Sequence, residues 1–430
     1  MATKLQGLGS PLAYVRNRRF LHHIAVLGSG TAIAQIANVA ATPLLATLYD
    51  PKSFGVMAIY MGIVLVVGTM ASFTYDSAII LPKSESDALT VLVLCIYFIS
   101  IISMISLLLI LAIFYLSPSE ELVFHWSLIL LIPLGIFSLG SLNAGSHWSV
   151  RHEQYKSVSK ASIIRSLGAV IAQITSGLLS ANALGLIFGR IFGQCAASFY
   201  LLRSSGLNAS QLISRSFSAL IRSATSHYRF PLFKAPQNVI VLLSDQMPAF
   251  ALATAFGASS AGLYWMADRI LNLPSTVVSE ATAKAFYRES VKSFQRNKTM
   301  RPLFYKTVAG LFIFALFPSI IIFFYAPTIF SVLGDDWQSA GYFAKWMIIW
   351  ALFRFSCAPV MAIYMITDQQ HRLLKIDTVS FVVRMLLFGL ALNLENAVDF
   401  VMIVCLFESI KIIYTTFDIA LSLRKLEQEI

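Results

Sequence analysis

Among the ionisable side chains within apolar runs of the sequence, nine lie well inside them: the cations Arg190, Arg269, Arg354, Arg384 and Lys411, and the carboxylates Asp245, Asp268, Asp377 and Glu408. A charge taken out of water must find a partner or a polar chamber, so each is a functional candidate by position alone. The five cations fall in five different segments and outnumber the carboxylates. That excess predicts an anionic ligand, and arginine suits phosphate because its paired N–H donors match two phosphate oxygens. Each charge also has a structural reading. Glu408 and Lys411, three residues apart, can neutralise one another, as can Asp377 and Arg384 at seven. Asp245, which shares a helix face with Asn238, and Asp268 have the chemistry to carry H+ or Na+, and no other cofactor is expected.

Bond-breaking chemistry is not indicated. Cys95, Cys195, Cys357 and Cys405 all lie in apolar runs without a CxxC spacing, so they read as small core residues. The histidines show no metal-ligand spacing. Asp335-Asp336 is an acidic pair in a connection, and it follows Gly334 as a solvated turn would.

The elements that must hold these residues are membrane helices. Of 430 residues, 57% are hydrophobic and 12% charged, against about 45–50% and about 25% in soluble domains. Apolar windows long enough to span a bilayer fall at 24–48, 54–81, 88–116, 122–150, 161–180 and 183–202, and again at 234–256, 261–287, 303–325, 341–366, 373–392 and 397–423. The fold class expected is therefore an all-α polytopic membrane protein of twelve helices. A net charge of +11 would suggest nucleic acid in a soluble protein. Here it is a topology signal, and no nucleic acid is expected. Basic residues crowd alternate connections, from Arg16, Arg18 and Arg19 through Arg151, Lys156 and Lys160 to Arg424 and Lys425. By the positive-inside rule those connections and both termini are cytoplasmic.

Polar stripes at helical spacing add to the site. On the window 261–287, Trp265, Arg269, Asn272, Thr276 and Glu280 share one face. In the first half Thr31, Gln35, Asn38 and Thr42 share another, as do Asn143, His147 and Arg151, and Arg190 with Gln194. Trp126, Trp148 and Trp337 lie near helix ends, where interfacial anchoring is the expected role. Trp265 and Trp350 each precede an arginine by one turn, close enough to stack on a sugar or on the guanidinium.

The chain divides in two. Leu45-Ala46-Thr47, Ser53 and Gly55 recur as Leu252-Ala253-Thr254, Ser260 and Gly262, a displacement of 207 residues that puts both copies at the turn between the first two windows of a half. An even number of spans separates the copies, so the halves are expected to share one orientation, related by an axis along the membrane normal. The expected organisation is a cytoplasmic segment 1–23, a lobe 24–203, a basic Ser-rich linker 204–230 with an amphipathic helix on the inner leaflet, a lobe 231–423 and a cytoplasmic tail 424–430.

Three motifs carry a family resemblance: Tyr49-Asp50-Pro51 followed by Phe54-Gly55; Tyr75-Asp76-Ser77-Ala78-Ile79-Ile80-Leu81-Pro82; and Tyr264-Trp265 with Ala267, Arg269-Ile270-Leu271 and Leu273-Pro274. With them the chain resembles the oligosaccharide flippases among the polysaccharide biosynthesis proteins, in the superfamily that also holds multidrug/toxin exporters and lipid II flippases. The resemblance implies a transporter rather than an enzyme. Its passenger would be an undecaprenyl-diphosphate-linked oligosaccharide, an O-antigen or capsule unit, moved to the outer leaflet of a bacterial plasma membrane. The partners expected are that anionic lipid-linked saccharide, membrane lipids and other polysaccharide assembly proteins. Arg269 is the leading phosphate contact, with Arg354, Arg384, Lys411 and Arg190 behind it and Asn38 and Asn272 beside them. The alternative is a cation-coupled exporter of organic cations using Asp245 and Asp268. A polymerase or glycosyltransferase of the same pathway is disfavoured by the short outer connections.

Overall fold

The structure, a computed structural model, describes residues 28–116, 120–207, 215–296 and 299–429. It is helical, with no strand among the described residues. Six helices make up the first half: α1 (Gly28–Leu48), α2 (Pro51–Met70), α3 (Glu85–Leu116), α4 (Glu120–Arg151), α5 (Tyr155–Leu179) and α6 (Ala183–Ser204). The short α7 (Phe217–Ser226) lies in the linker. The second half contains α8 (Ala235–Phe256), α9 (Ala258–Leu271), α10 (Glu280–Gln295), α11 (Arg301–Ser331), α12 (Gln338–Cys357), α13 (Gln370–Ala391) and α14 (Ala397–Glu429). Eight helical stretches among the described residues are long and apolar enough to cross a membrane. The expected segment 1–23 lies outside the described residues, and α14 runs on through the expected tail.

The family motifs have local physical reasons. Asp50 caps α2 by accepting from the Ser53 N–H at 2.9 Å, and Pro51 occupies a first-turn position that has no N–H to satisfy. Tyr49 is buried and donates to the Gln173 carbonyl at 2.7 Å, tying the α1–α2 turn to α5. Phe54 is wholly buried and meets Trp337 edge to face at 5.1 Å between ring centres. The indole of Trp337 donates to the Ala46 carbonyl at 3.0 Å. These contacts seal the end of the bundle that carries the α1–α2 and α8–α9 turns.

Four expectations change. The second window does not run as a helix to residue 81: α2 ends at Met70, Phe73 and Thr74 take left-handed angles (φ 48° and 59°), and Tyr75–Ile80 forms a 3-10 turn. Helical hydrogen bonding cannot pass through two left-handed residues. The turn is held instead by side chains, Thr74 donating to the Phe230 carbonyl and Tyr75 to that of Ala224, both at 3.1 Å. The window 261–287 is likewise not one helix. Pro274 lacks the N–H that would continue α9, and a π-helical stretch, Ser275–Ser279, joins α9 to α10. The side chains of Thr276 and Glu280 fall outside the described residues, as does that of Trp126. Trp337 and Trp148 are not interfacial anchors, being 1% and 4% exposed; helix ends here are packed together rather than presented to lipid. Cys195 is exposed, whereas the other three cysteines are buried as core residues.

In the linker, α7 turns Leu220 into the first half beside Tyr75 and Leu92 and leaves Phe217 and Ile221 exposed. Arg215 donates to Ser86 at 3.0 Å and Lys234 to Ser77 at 2.6 Å, so the linker is fastened to one end of the first half on both sides of α7.

Candidate functional site

Between the halves lies a chamber of about 490 Å³, walled by α1, α2, α5 and α6 from one half and by α9, the π-helical turn, α10 and α12 from the other. Its size suits a small polar head group. Arg190 on α6, Arg269 on α9 and Arg354 on α12 all line it, with Asp268 as the one lining carboxylate among the described residues.

None of the three arginines forms an ion pair among the described residues. Arg269 donates to the Asn38 carbonyl at 2.5 Å, reaching from α9 to α1 across the halves, and stacks on Trp265 with its guanidinium carbon 5.2 Å from the ring centre. Arg354 stacks on Trp350 at 5.1 Å in the same way. Both rings therefore contact a guanidinium, which fixes its plane while leaving N–H donors free. Arg190 makes no hydrogen bond or ion pair among the described residues, and its Nε is buried without an acceptor. An unmet buried donor on a charged group is costly, so a site that keeps one is built to receive an acceptor. The Asp268 carboxylate accepts from Asn272 Nδ2.

Six of the expected site residues thus converge: Arg190, Arg269, Arg354, Asn38, Asn272 and Asp268. Arg384, Lys411 and Asp245 do not line the chamber. Arg384 Nε lies 2.6 Å from Glu408, and its Nη1 3.8 Å from Asp245, beside a void of about 30 Å³ within the second half. Lys411 pairs with Asp377 at 3.0 Å. The neutralisation expected along each helix is exchanged across two: α13 supplies Asp377 and Arg384, α14 supplies Lys411 and Glu408, and each charge takes its partner from the other helix. The stripe ending in Arg151 also lies elsewhere, with His147 3.8 Å from Asp76 and Arg151 donating to the Ile79 carbonyl at the 3-10 turn.

The chamber includes residues that charge alone did not single out. Gln173 on α5 lines it while donating to the Leu186 carbonyl at 2.9 Å, and Ser275 and Ser279 line it from the π-helical turn. Gln173 is a polar residue in an apolar window, a signal of the same kind as Asn38. The serines had none, because small hydroxyls occur throughout membrane helices. No three His, Cys, Asp or Glu side chains gather as a metal site among the described residues.

A family model described as polysaccharide biosynthesis protein matches residues 44–341. Among solved structures the chain is similar to the lipid II flippase MurJ in an inward closed conformation, at 12% identity over 94% of this chain and 90% of that one, with a TM-score of 0.71. It is also similar to a multidrug resistance MATE family transporter in an inward-facing conformation (12% identity, 94% and 95% covered, TM-score 0.57). A MOP superfamily transporter from Pyrococcus furiosus matches at 12% identity, 94% and 96% covered, TM-score 0.53. These likenesses show the fold. No curated protein matches the sequence.

Proposed function

The chain belongs to the polysaccharide biosynthesis protein family, and on that premise we propose that it is a flippase for an undecaprenyl-diphosphate-linked saccharide unit, an O-antigen or capsule repeat. It carries this passenger from the inner to the outer leaflet of a bacterial plasma membrane. The supporting observation is the chamber: three arginines from three helices line it, none of them in an ion pair among the described residues. A diphosphate brings about two negative charges, and an inside-negative potential of 100 mV favours its outward passage by roughly 2 × 2.3, or ~5 kcal/mol, if the charge crosses the whole field. Direction is therefore provided by the membrane potential, and the barrier is dehydration of the head group. Guanidinium donors that replace the lost water lower that barrier.

Alternating access completes the reading. Twelve spans in two six-helix halves, both termini cytoplasmic, rock about the seam where α2 meets α9. Sealed at the α1–α2 end, the chamber stands in the state that receives its passenger from the cytoplasmic side. Coupling to H+ or Na+ through Asp268 or Asp245 belongs to the same reading. A cation-coupled exporter of organic cations is the alternative, and the chamber's net positive lining weighs against it, since like charges repel strongly away from water.

The test is replacement of Arg269 by Gln in cells lacking the chromosomal copy. Surface polysaccharide is expected to fall sharply at an unchanged level of membrane-inserted protein; undiminished export would overturn the reading. Drug efflux with unaltered polysaccharide on deletion would select the exporter.

A further inference from the structure

The chamber is not closed on its α12 side. Arg354 and Ala358 line a second cavity of about 210 Å³ as well as the first, so the two adjoin at these side chains. We propose that this side cavity holds the isoprenyl units nearest the diphosphate, so that head group and first stretch of lipid chain occupy neighbouring compartments of the second half. The proposal rests on the flippase reading and adds where the lipid enters.

The chemistry of the lining selects the occupant. Met361, Leu373 and Ile412 supply carbon. The polar groups present are engaged with one another: Lys411 is paired with Asp377 at 3.0 Å, and the Thr415 hydroxyl donates to the Lys411 carbonyl at 2.6 Å. A sugar or free phosphate there would have to compete with these internal pairs for its donors, whereas an apolar chain needs none. On the other side of Arg354 the donors are unspent, as at Arg190. Arg354 thus stands at a boundary, with its charge available to a phosphate on one side and hydrocarbon on the other. A diphosphate esterified to an isoprenoid has that same division, charge joined directly to hydrocarbon.

The backbone makes the boundary passable. α12 ends at Cys357, just past Arg354, and a 3-10 turn, Ala358–Ala362, with Pro359 in its first turn, replaces the helix where Arg354 and Ala358 line both cavities. The far wall is α13, which buries only Ser380 and Ala391 and leaves Leu374 and Val379 about half or more exposed (47% and 63%). A helix so lightly packed can yield to a chain that continues into the bilayer. At less than half the chamber's volume the cavity takes the first units and leaves the rest of the tail among lipids.

Purified full-length protein in lipid nanodiscs is offered two probes, inorganic diphosphate and farnesyl diphosphate carrying a diazirine on its second isoprene unit. Leu373→Trp and Ile412→Trp, which fill the side cavity, are expected to weaken farnesyl diphosphate by at least about tenfold while leaving diphosphate within about twofold. In the wild type, irradiation should label peptides containing Met361 or Ile412, and unlabelled farnesyl diphosphate should remove that label. Labelling confined to α1 and α9 at the gap between the halves would overturn the proposal. So would a site equally protected by ordinary phospholipid, or Trp variants that bind both probes normally. Should the wild type bind neither probe, the flippase reading falls as well. The labelling needs no substitution, so it decides the matter even if a Trp variant does not fold.

Discussion

Gly55 on α2 and Gly262 on α9 pack backbone to backbone, and the contact is reciprocal. A side-chain carbon added at Gly55 would fall 1.6 Å from the Ala258 carbonyl oxygen, and one added at Gly262 would fall 1.9 Å from that of Pro51. Positions 51 and 258, like 55 and 262, are 207 residues apart, the displacement of the sequence repeat. Each glycine therefore meets the carbonyl of the residue four positions before the other glycine.

Substituting either glycine tests the seam. Gly55→Ala or Gly262→Ala drives a methyl into a carbonyl that cannot step aside, and overpacking of this kind costs about 1–3 kcal/mol. Both variants should unfold at lower temperature and lose transport. The control is Gly389→Ala, where an added carbon meets nothing within 4 Å and alanine is the better helix former by ~1 kcal/mol. Thermal unfolding of the purified proteins separates the cases; equal stability of all three would remove the seam from the account.

Arg190 and Arg384 should fail in opposite ways. Arg190 has no hydrogen-bond or ion-pair partner among the described residues, so Arg190→Gln relieves a buried, unmet donor. Stability should hold or rise while diphosphate binding weakens by roughly 10–100-fold, the scale of one charged hydrogen bond at ~1.5–3 kcal/mol. Arg384→Gln leaves Glu408, 6% exposed, without its cation, and breaking a buried pair costs about 3–5 kcal/mol. Loss of protein from the membrane is expected there, with recovery in Arg384→Met combined with Glu408→Met. Unfolding midpoints and diphosphate titrations on the same preparations discriminate the two, and identical behaviour would contradict the division of the cations.

Most of the helical architecture was legible because a long apolar window dictates a helix whatever surrounds it. Arg269 and Asn38 could be found singly, as polar groups in greasy segments, but that one bonds the other across 231 positions is a fact of packing. The sequence could not say which acid neutralises which base either. Spacing along one helix suggested Glu408 with Lys411, whereas the pairing observed is between helices, Glu408 with Arg384. Helix interruptions were half visible: Pro274 and Pro359 mark two of them, but the left-handed Phe73-Thr74 turn has no glycine to announce it and is fixed by contacts with the linker.

The seal at Trp337 should respond to loss of one hydrogen bond. Trp337→Phe keeps an aromatic ring against Phe54 but removes the donor to the Ala46 carbonyl, in a position 1% exposed. A buried acceptor left unmet costs about 1–3 kcal/mol, and the closed end of the bundle alone bears it. The equilibrium should shift toward the state open at that end. With the four native cysteines replaced, a cysteine introduced by Ala46→Cys should react with an impermeant maleimide faster in Trp337→Phe than in the parent. Equal rates would mean that the indole does not hold this end shut.

Asp268 lines the chamber and Asp245 stands beside Arg384, so the two predict different consequences for ion coupling. Asp268→Asn removes the negative charge from the chamber and raises its formal charge by one. Diphosphate binding should therefore tighten, while any acceleration of transport by an imposed H+ or Na+ gradient should vanish if this carboxylate carries the ion. Asp245→Asn lies outside the chamber and should leave diphosphate affinity unchanged, whatever it does to gradient dependence. The measurement is movement of a fluorescent lipid-linked saccharide in vesicles under each gradient in turn. Wild-type transport indifferent to both gradients would dismiss coupling altogether, and gradient dependence surviving in both variants would assign the ion to other groups.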